Sequence, residues 1–158
     1  MTRKEMAIDY FYKGYNCSQS LVLAFKDLVD IDEDTLAKLA SSFGGGMGRL
    51  REVCGSVSGM FLIAGLLYGY SGPEKGELKA DHYARIQALA HSFEEKNGSI
   101  VCRELLGLSV KHDSPVPSQR TDEYYSKRPC PEIIGTAAEI LEKFILDMQE
   151  DEKNKPEE

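Results

Sequence analysis

The chain has 158 residues, with 26 acidic side chains against 19 Lys and Arg and a formal charge of −7 at neutral pH. That length suits one domain with its own hydrophobic core and no need of disulfide or metal staples. An acidic balance without any Lys/Arg block argues against nucleic acid or an anionic membrane as partner.

Apolar residues recur with helical period nearly throughout. A first helix is expected over about residues 2–13, ending at Gly14; MTRKEMAIDYFYKG is charged and amphipathic and carries no secretory or twin-arginine leader. Asn16 is a good N-cap for the second, which places Cys17, Leu21, Ala24, Phe25 and Leu28 on one face. Asp32 caps a third, which ends at the glycine run. The fourth, about 53–70, contains MFLIAGLLYGY, half the roughly 20 apolar residues a membrane span requires. SGPEKG then makes an exposed turn, and a fifth helix over about 76–97 aligns Leu78, His82, Ile86, Leu89 and Phe93. Ser99 opens a short sixth helix carrying Cys102, stopped at Gly107. Residues 108–129, with three prolines and little periodicity, read as a long loop of the kind that is usually functional or loose. Tyr124 and Tyr125 are expected to anchor it. The last helix begins at Cys130-Pro131, with proline at the favoured first position. The expectation is an all-α, single-domain bundle of six to seven helices over 1–150, with a solvated acidic tail over 151–158, cytoplasmic and without membrane insertion.

FGGGMGRLREVCGSVSG, residues 43–59, packs six glycines and one cysteine into seventeen residues. It is neither a P-loop, lacking the G-K-[ST] end, nor a dinucleotide fingerprint, since no strand precedes it. An anion site at the following helix N-terminus, helped by Arg49 and Arg51, is the minor alternative. Gly55 and Gly59 lie four apart, as do Gly65 and Gly69. Glycine costs about 1 kcal/mol against alanine inside a helix, so such pairs point to a closely approaching neighbour. Tight helix packing is favoured there over a cofactor surface.

The four cysteines, Cys17, Cys54, Cys102 and Cys130, each fall in the first turn or so of an expected helix. Helix N-termini stabilise thiolates, the form that binds metal or attacks a disulfide. The intervals of 36, 47 and 27 residues contain no close cysteine pair, unlike zinc ribbons and ferredoxins. A shared site would therefore need one ligand from each of four helices. Buried thiols acting as small hydrophobes are the competing reading. His82 and His91, nine residues apart, fall on opposite helix faces, so they make no metal box; His82 reads as a hydrogen-bonded core residue and His112 as a loop residue.

The order of Cys17, FGGGMG, CGSVSG, Cys102 and Cys130 resembles the C_GCAxxG_C_C family of proteins described as redox-active, over about residues 5–145. Ser56 stands where the motif has alanine, a small-for-small change. The resemblance implies redox function, with an iron–sulfur cluster suspected. The thiols of Cys17, Cys54, Cys102 and Cys130 would be its ligands or, in a metal-free protein, its redox-active groups, and Gly55 and Gly59 would shape the cofactor surface. Family members tend to be encoded near transporters or oxidoreductases, which makes such proteins the expected partners. FGGGMG is then expected to be the close-approach turn that brings Cys54 to a shared site. Three function classes stay open: an electron-transfer protein holding a cluster or another thiophilic metal, a metal-free thiol–disulfide protein, and a non-redox interaction domain with buried thiols. Self-association through the glycine-faced helix is open as well.

Overall fold

Capping side chains set where four of the helices begin in the computed structural model, which describes residues 1–73 and 76–156. Thr2 and Glu5 form a reciprocal capping box at α1 (Arg3–Tyr12). Asn16 and Gln19 do the same at α2 (Cys17–Leu23), and Asp32 accepts from the Thr35 N–H at α3 (Glu33–Ser41). The glycine run forms a four-residue turn, α4 (Gly44–Met47), before α5 (Gly55–Tyr68). After these come α6 (Gly76–Asn97), a short α7 (Cys102–Leu105), α8 (Asp122–Lys127) and α9 (Cys130–Lys153). Among the described residues there is no strand, only an isolated antiparallel bridge between Val53 and Val101. The chain is all-α, and six of its helices have seven residues or more.

The short α2 lies at the centre. Leu21 through Phe25 are buried together, with α5 packed along one side and α1, α3 and α9 around the rest. Gly59 makes the α2–α5 approach possible: a Cβ there would lie 2.9 Å from that of Leu21. Tight packing is therefore the role of this half of the glycine pattern. Gly65 has nothing within 4 Å of a would-be Cβ, and Gly69 lies just past the end of α5, so the second pair has no such role. Arg3 ties α1 to the end of α2 by donating to the Ala24 carbonyl (2.8 Å) and pairing with Asp27.

Three boundaries differ from the sequence expectation. The helix α2 stops at Leu23, and Leu28, expected on its face, lies in a separate 3-10 turn (Lys26–Leu28). Residues 122–127 are helical because Thr121 caps them, accepting from the Tyr124 N–H (3.2 Å), with Asp122 and Glu123 in the first turn. The helix α9 runs through Lys153, into the segment expected as tail. Of the SGPEKG turn, Glu74 and Lys75 lie outside the described residues, as do Glu157 and Glu158.

Candidate functional site: a four-thiol cavity

Each cysteine sits at the start of a helix. Cys17, Cys102 and Cys130 are the first residues of α2, α7 and α9, and Cys54 is the N-cap of α5. The fold turns these four starts inward, and all four cysteines line one cavity of about 290 Å³. All four are free thiols. The sequence expected thiols at helix N-termini; their convergence depends on topology.

Two local devices bring them together. The first is the bridge: the Cys54 N–H donates to the Ile100 carbonyl (2.8 Å) and the Cys102 N–H to the Glu52 carbonyl (2.6 Å), which fixes these two residues side by side. The second is the glycine turn. Gly45 and Gly46 are left-handed (φ 69° and 72°), so the chain doubles back through a conformation glycine adopts freely. A Cβ on Gly44 would lie 2.4 Å from the Asn16 side chain, and one on Gly46 would lie 2.5 Å from the Cys102 Cβ. A Cβ on Gly55 would fall 2.3 Å from the Cys17 sulfur. The turn is thus a close-approach device joining the caps of α2, α5 and α7, as the sequence suggests. Met47, Arg49 and Arg51 continue the left-handed backbone without being glycines, a costly conformation held by the surrounding contacts.

Among the described residues, the charged side chains lining the cavity are arginines: Arg49, Arg51, Arg120 and Arg128. Buried Arg51 donates to Asp113 at 3.0 and 3.3 Å and to the Cys102 sulfur at 3.6 Å. Arg49 donates to the Ser114 carbonyl (2.6 Å) and also pairs with Asp113 (3.2 Å), so residues 113–118 are tied down as a roof. Arg120 donates to the Phe11 and Tyr15 carbonyls (3.0 and 3.1 Å) and stacks on the Phe11 ring at 4.1 Å. Tyr124 lines the cavity, whereas Tyr125 packs on Phe11 and Tyr12; only the second is the simple anchor expected of both. Sequence reading missed Arg120 and Arg128, because nothing local distinguishes them from other surface arginines.

Burial decides the protonation of the thiols. It pushes Cys54 up from 9.0 to about 12, helped by the neighbouring Cys17 and partly offset by the Ser56 hydroxyl at 3.0 Å. Cys130 is likewise pushed up to about 12, by burial first and by Cys17 and Cys102 next, with Arg128 and Arg120 acting the other way. Cys17 is also raised by burial, although the N–H groups of Gly45, Ser18 and Gly55 oppose the shift. For these three thiols, desolvation outweighs the helix N-terminus that was expected to favour the thiolate.

A pH dependence follows. A thiol kept protonated by burial contributes stability that is complete below its unfolded pKa and is lost as pH rises toward the folded value. The reduced, metal-free protein should therefore lose about 1.4 kcal/mol per pH unit for each of Cys54 and Cys130 above about pH 9. Urea unfolding between about pH 8 and pH 10, compared with a Cys54→Ala/Cys130→Ala variant, isolates this from tyrosine and lysine titration. Parallel curves for the two proteins would contradict it.

The histidines stand apart. His82 is buried in the core beside Tyr70, but its Nδ1 has no hydrogen-bond partner among the described residues, contrary to the hydrogen-bonded histidine expected. His91 pairs with Glu95 on the surface (3.0 Å), and His112 lies 3.8 Å from Glu52. Among the described residues, no three His, Cys, Asp or Glu side chains stand close enough together to hold a metal ion, and no helix is long and apolar enough to cross a membrane.

The model of a family described as "Putative redox-active protein (C_GCAxxG_C_C)" matches residues 15–144, a span containing all four cysteines and the glycine turn. No curated protein and no solved structure matches the chain.

Proposed function

Since the chain belongs to the C_GCAxxG_C_C family of redox-active proteins, we propose that its four thiols form a single redox centre, binding an iron–sulfur cluster for electron transfer. One observation carries the proposal: four cysteines far apart in sequence, each from a different helix start, line one cavity. The donor set fits such a group. Its four thiols are joined by no carboxylate or imidazole in the lining among the described residues, and thiolate sulfur is what soft metals and clusters select.

When bound, a cluster would supply one-electron chemistry. Cys17, Cys54, Cys102 and Cys130 would hold it, releasing their protons as they ligate. N–H groups of Gly45, Ser18 and Gly55 aim at the Cys17 sulfur and would stabilise its thiolate. Arg51 does the same for Cys102. The roof formed by residues 113–118 would limit water, and an oxidoreductase or a transporter-associated protein is the expected electron partner.

Metal-free thiol–disulfide chemistry is the second reading, favoured by four free thiols lining the same cavity. The upward shifts count against it, because an attacking thiol needs thiolate character near ambient pH. Protein purified without oxygen should contain iron and acid-labile sulfide together and absorb in the visible. Colourless protein with four titratable thiols would support the second reading instead.

A further inference from the structure

The cavity's positive charge is not neutralised from within the protein. Four guanidinium groups line it, and a single carboxylate, Asp113, stands within ion-pair distance of any of them among the described residues, shared by Arg49 and Arg51. Arg120 is held by two backbone carbonyls and by aromatic faces, partners that position a guanidinium without cancelling its charge. Arg128 stands 5.6 Å over the Tyr124 ring and has no ion pair there. This local excess sits in a chain whose net charge is −7. Four guanidinium groups against the one carboxylate of Asp113 leave a surplus of about three positive charges among these side chains.

Building on the reading of this cavity as the redox centre, we propose that it is anion-selective, and that it admits a small molecule whose carboxylate or oxyanion group is held by Arg49, Arg120 and Arg128. The chemistry suits that class. Guanidinium forks bind carboxylates and oxyanions in two-point fashion. The Ser118 hydroxyl, 3.4 Å from Arg49, lines the same cavity and adds a neutral donor. A cationic or uncharged substrate would leave these groups without counter-charge.

The test uses the full chain, reduced and metal-free, with two thiol reagents of nearly equal size. Iodoacetate is an anion and iodoacetamide is neutral. Their rates at each cysteine, read by mass spectrometry, are expressed as a ratio, so the thiol's own reactivity cancels. At Cys130 the iodoacetate-to-iodoacetamide ratio in the folded protein should exceed that of the urea-unfolded chain by about tenfold or more, the lower end of what a charged cleft does for opposite charge. Arg128→Gln should remove most of that preference, and Arg49→Gln part of it. Sulfate exchanged for chloride at constant ionic strength should protect the thiols from iodoacetate. A folded ratio equal to the unfolded one, or thiols that neither reagent reaches before unfolding, would overturn the proposal. Should Arg49→Gln disturb the roof, Arg128→Gln still decides, because Arg128 holds no part of residues 113–118. The assay needs no metal, so iron-free but anion-selective protein would sink the cluster reading alone, and iron-loaded protein without selectivity would sink this one alone.

Discussion

Gly55→Ala should destabilise the protein by about 3 kcal/mol, the upper end for an overpacked core site, and pull the Cys17 and Cys54 thiols apart. The added Cβ would stand 2.3 Å from the Cys17 sulfur, 2.7 Å from the Phe43 carbonyl oxygen and 3.2 Å from the Ser18 nitrogen. A sulfur can rotate away, but two backbone atoms cannot, so the start of α5 must separate from α2. That separation also moves Cys54, the preceding residue, away from Cys17. Helix propensity runs the other way, since alanine is the better helix former, and steric conflict therefore has to outweigh a gain of about 1 kcal/mol. Gly65→Ala in the same helix is the control. Nothing lies within 4 Å of its Cβ, so it should stabilise by about 0.5–1 kcal/mol. Thermal and urea unfolding of both variants measure the contrast, with a midpoint drop of roughly 10 °C expected for Gly55→Ala. Equal effects from the two substitutions would remove the close-approach argument.

Arg51→Ala carries the second large effect, a loss of about 3 kcal/mol together with release of the roof. Arg51 is 4 % exposed, and its guanidinium joins Cys102 to Asp113. Its carbonyl accepts from the Arg103 side chain (3.1 Å) and its N–H donates to the Gly45 carbonyl (3.3 Å), so the backbone is fixed on both sides. Deleting the side chain leaves a void against Cys102 and frees Asp113 to hydrate, which unfastens residues 113–118 from one of their two arginines. Protease cleavage within 108–121 and alkylation of Cys102 should both accelerate by about tenfold or more, as a local opening becomes about 1.4 kcal/mol easier. Lysine at this position should recover little, because a point charge cannot serve sulfur and carboxylate from one planar fork. An Arg51→Ala protein with wild-type cleavage and alkylation rates would show that Arg51 holds neither.

How far the sequence foretold this arrangement varies with the range of the forces involved. Asn16 and Asp32 act on N–H groups three residues away, so α2 and α3 could be placed from their caps. The apolar stripe of Ile133 to Ile145 likewise placed α9. Asn16 placed Cys17 at a helix start, and proline at the second position of α9 did the same for Cys130. Convergence was less accessible, since intervals of 36, 47 and 27 residues contain no local pairing signal and the meeting point depends on how α1, α2, α5 and α9 pack. The arginines were invisible for the same reason: Arg120 donates to a carbonyl 109 residues away. Left-handed backbone at Met47, Arg49 and Arg51 runs against residue preference and is imposed by tertiary contacts. Thiol protonation ran opposite to the helix-dipole expectation because burial, a property of the whole fold, is the larger effect at Cys54 and Cys130. Helix α8 was legible in retrospect from Thr121-Asp122-Glu123, a cap followed by two acids that the nearby prolines obscured.

The central claim is that four thiols act as one centre, and the most direct measurement is iron and sulfide content per chain across four single variants purified without oxygen: Cys17→Ala, Cys54→Ala, Cys102→Ala and Cys130→Ala. Each variant should remain folded by circular dichroism, and iron, sulfide and visible absorbance should fall together in all four. A variant that keeps the wild-type iron, sulfide and spectrum would contradict a single four-thiol centre, whichever cysteine it lacks.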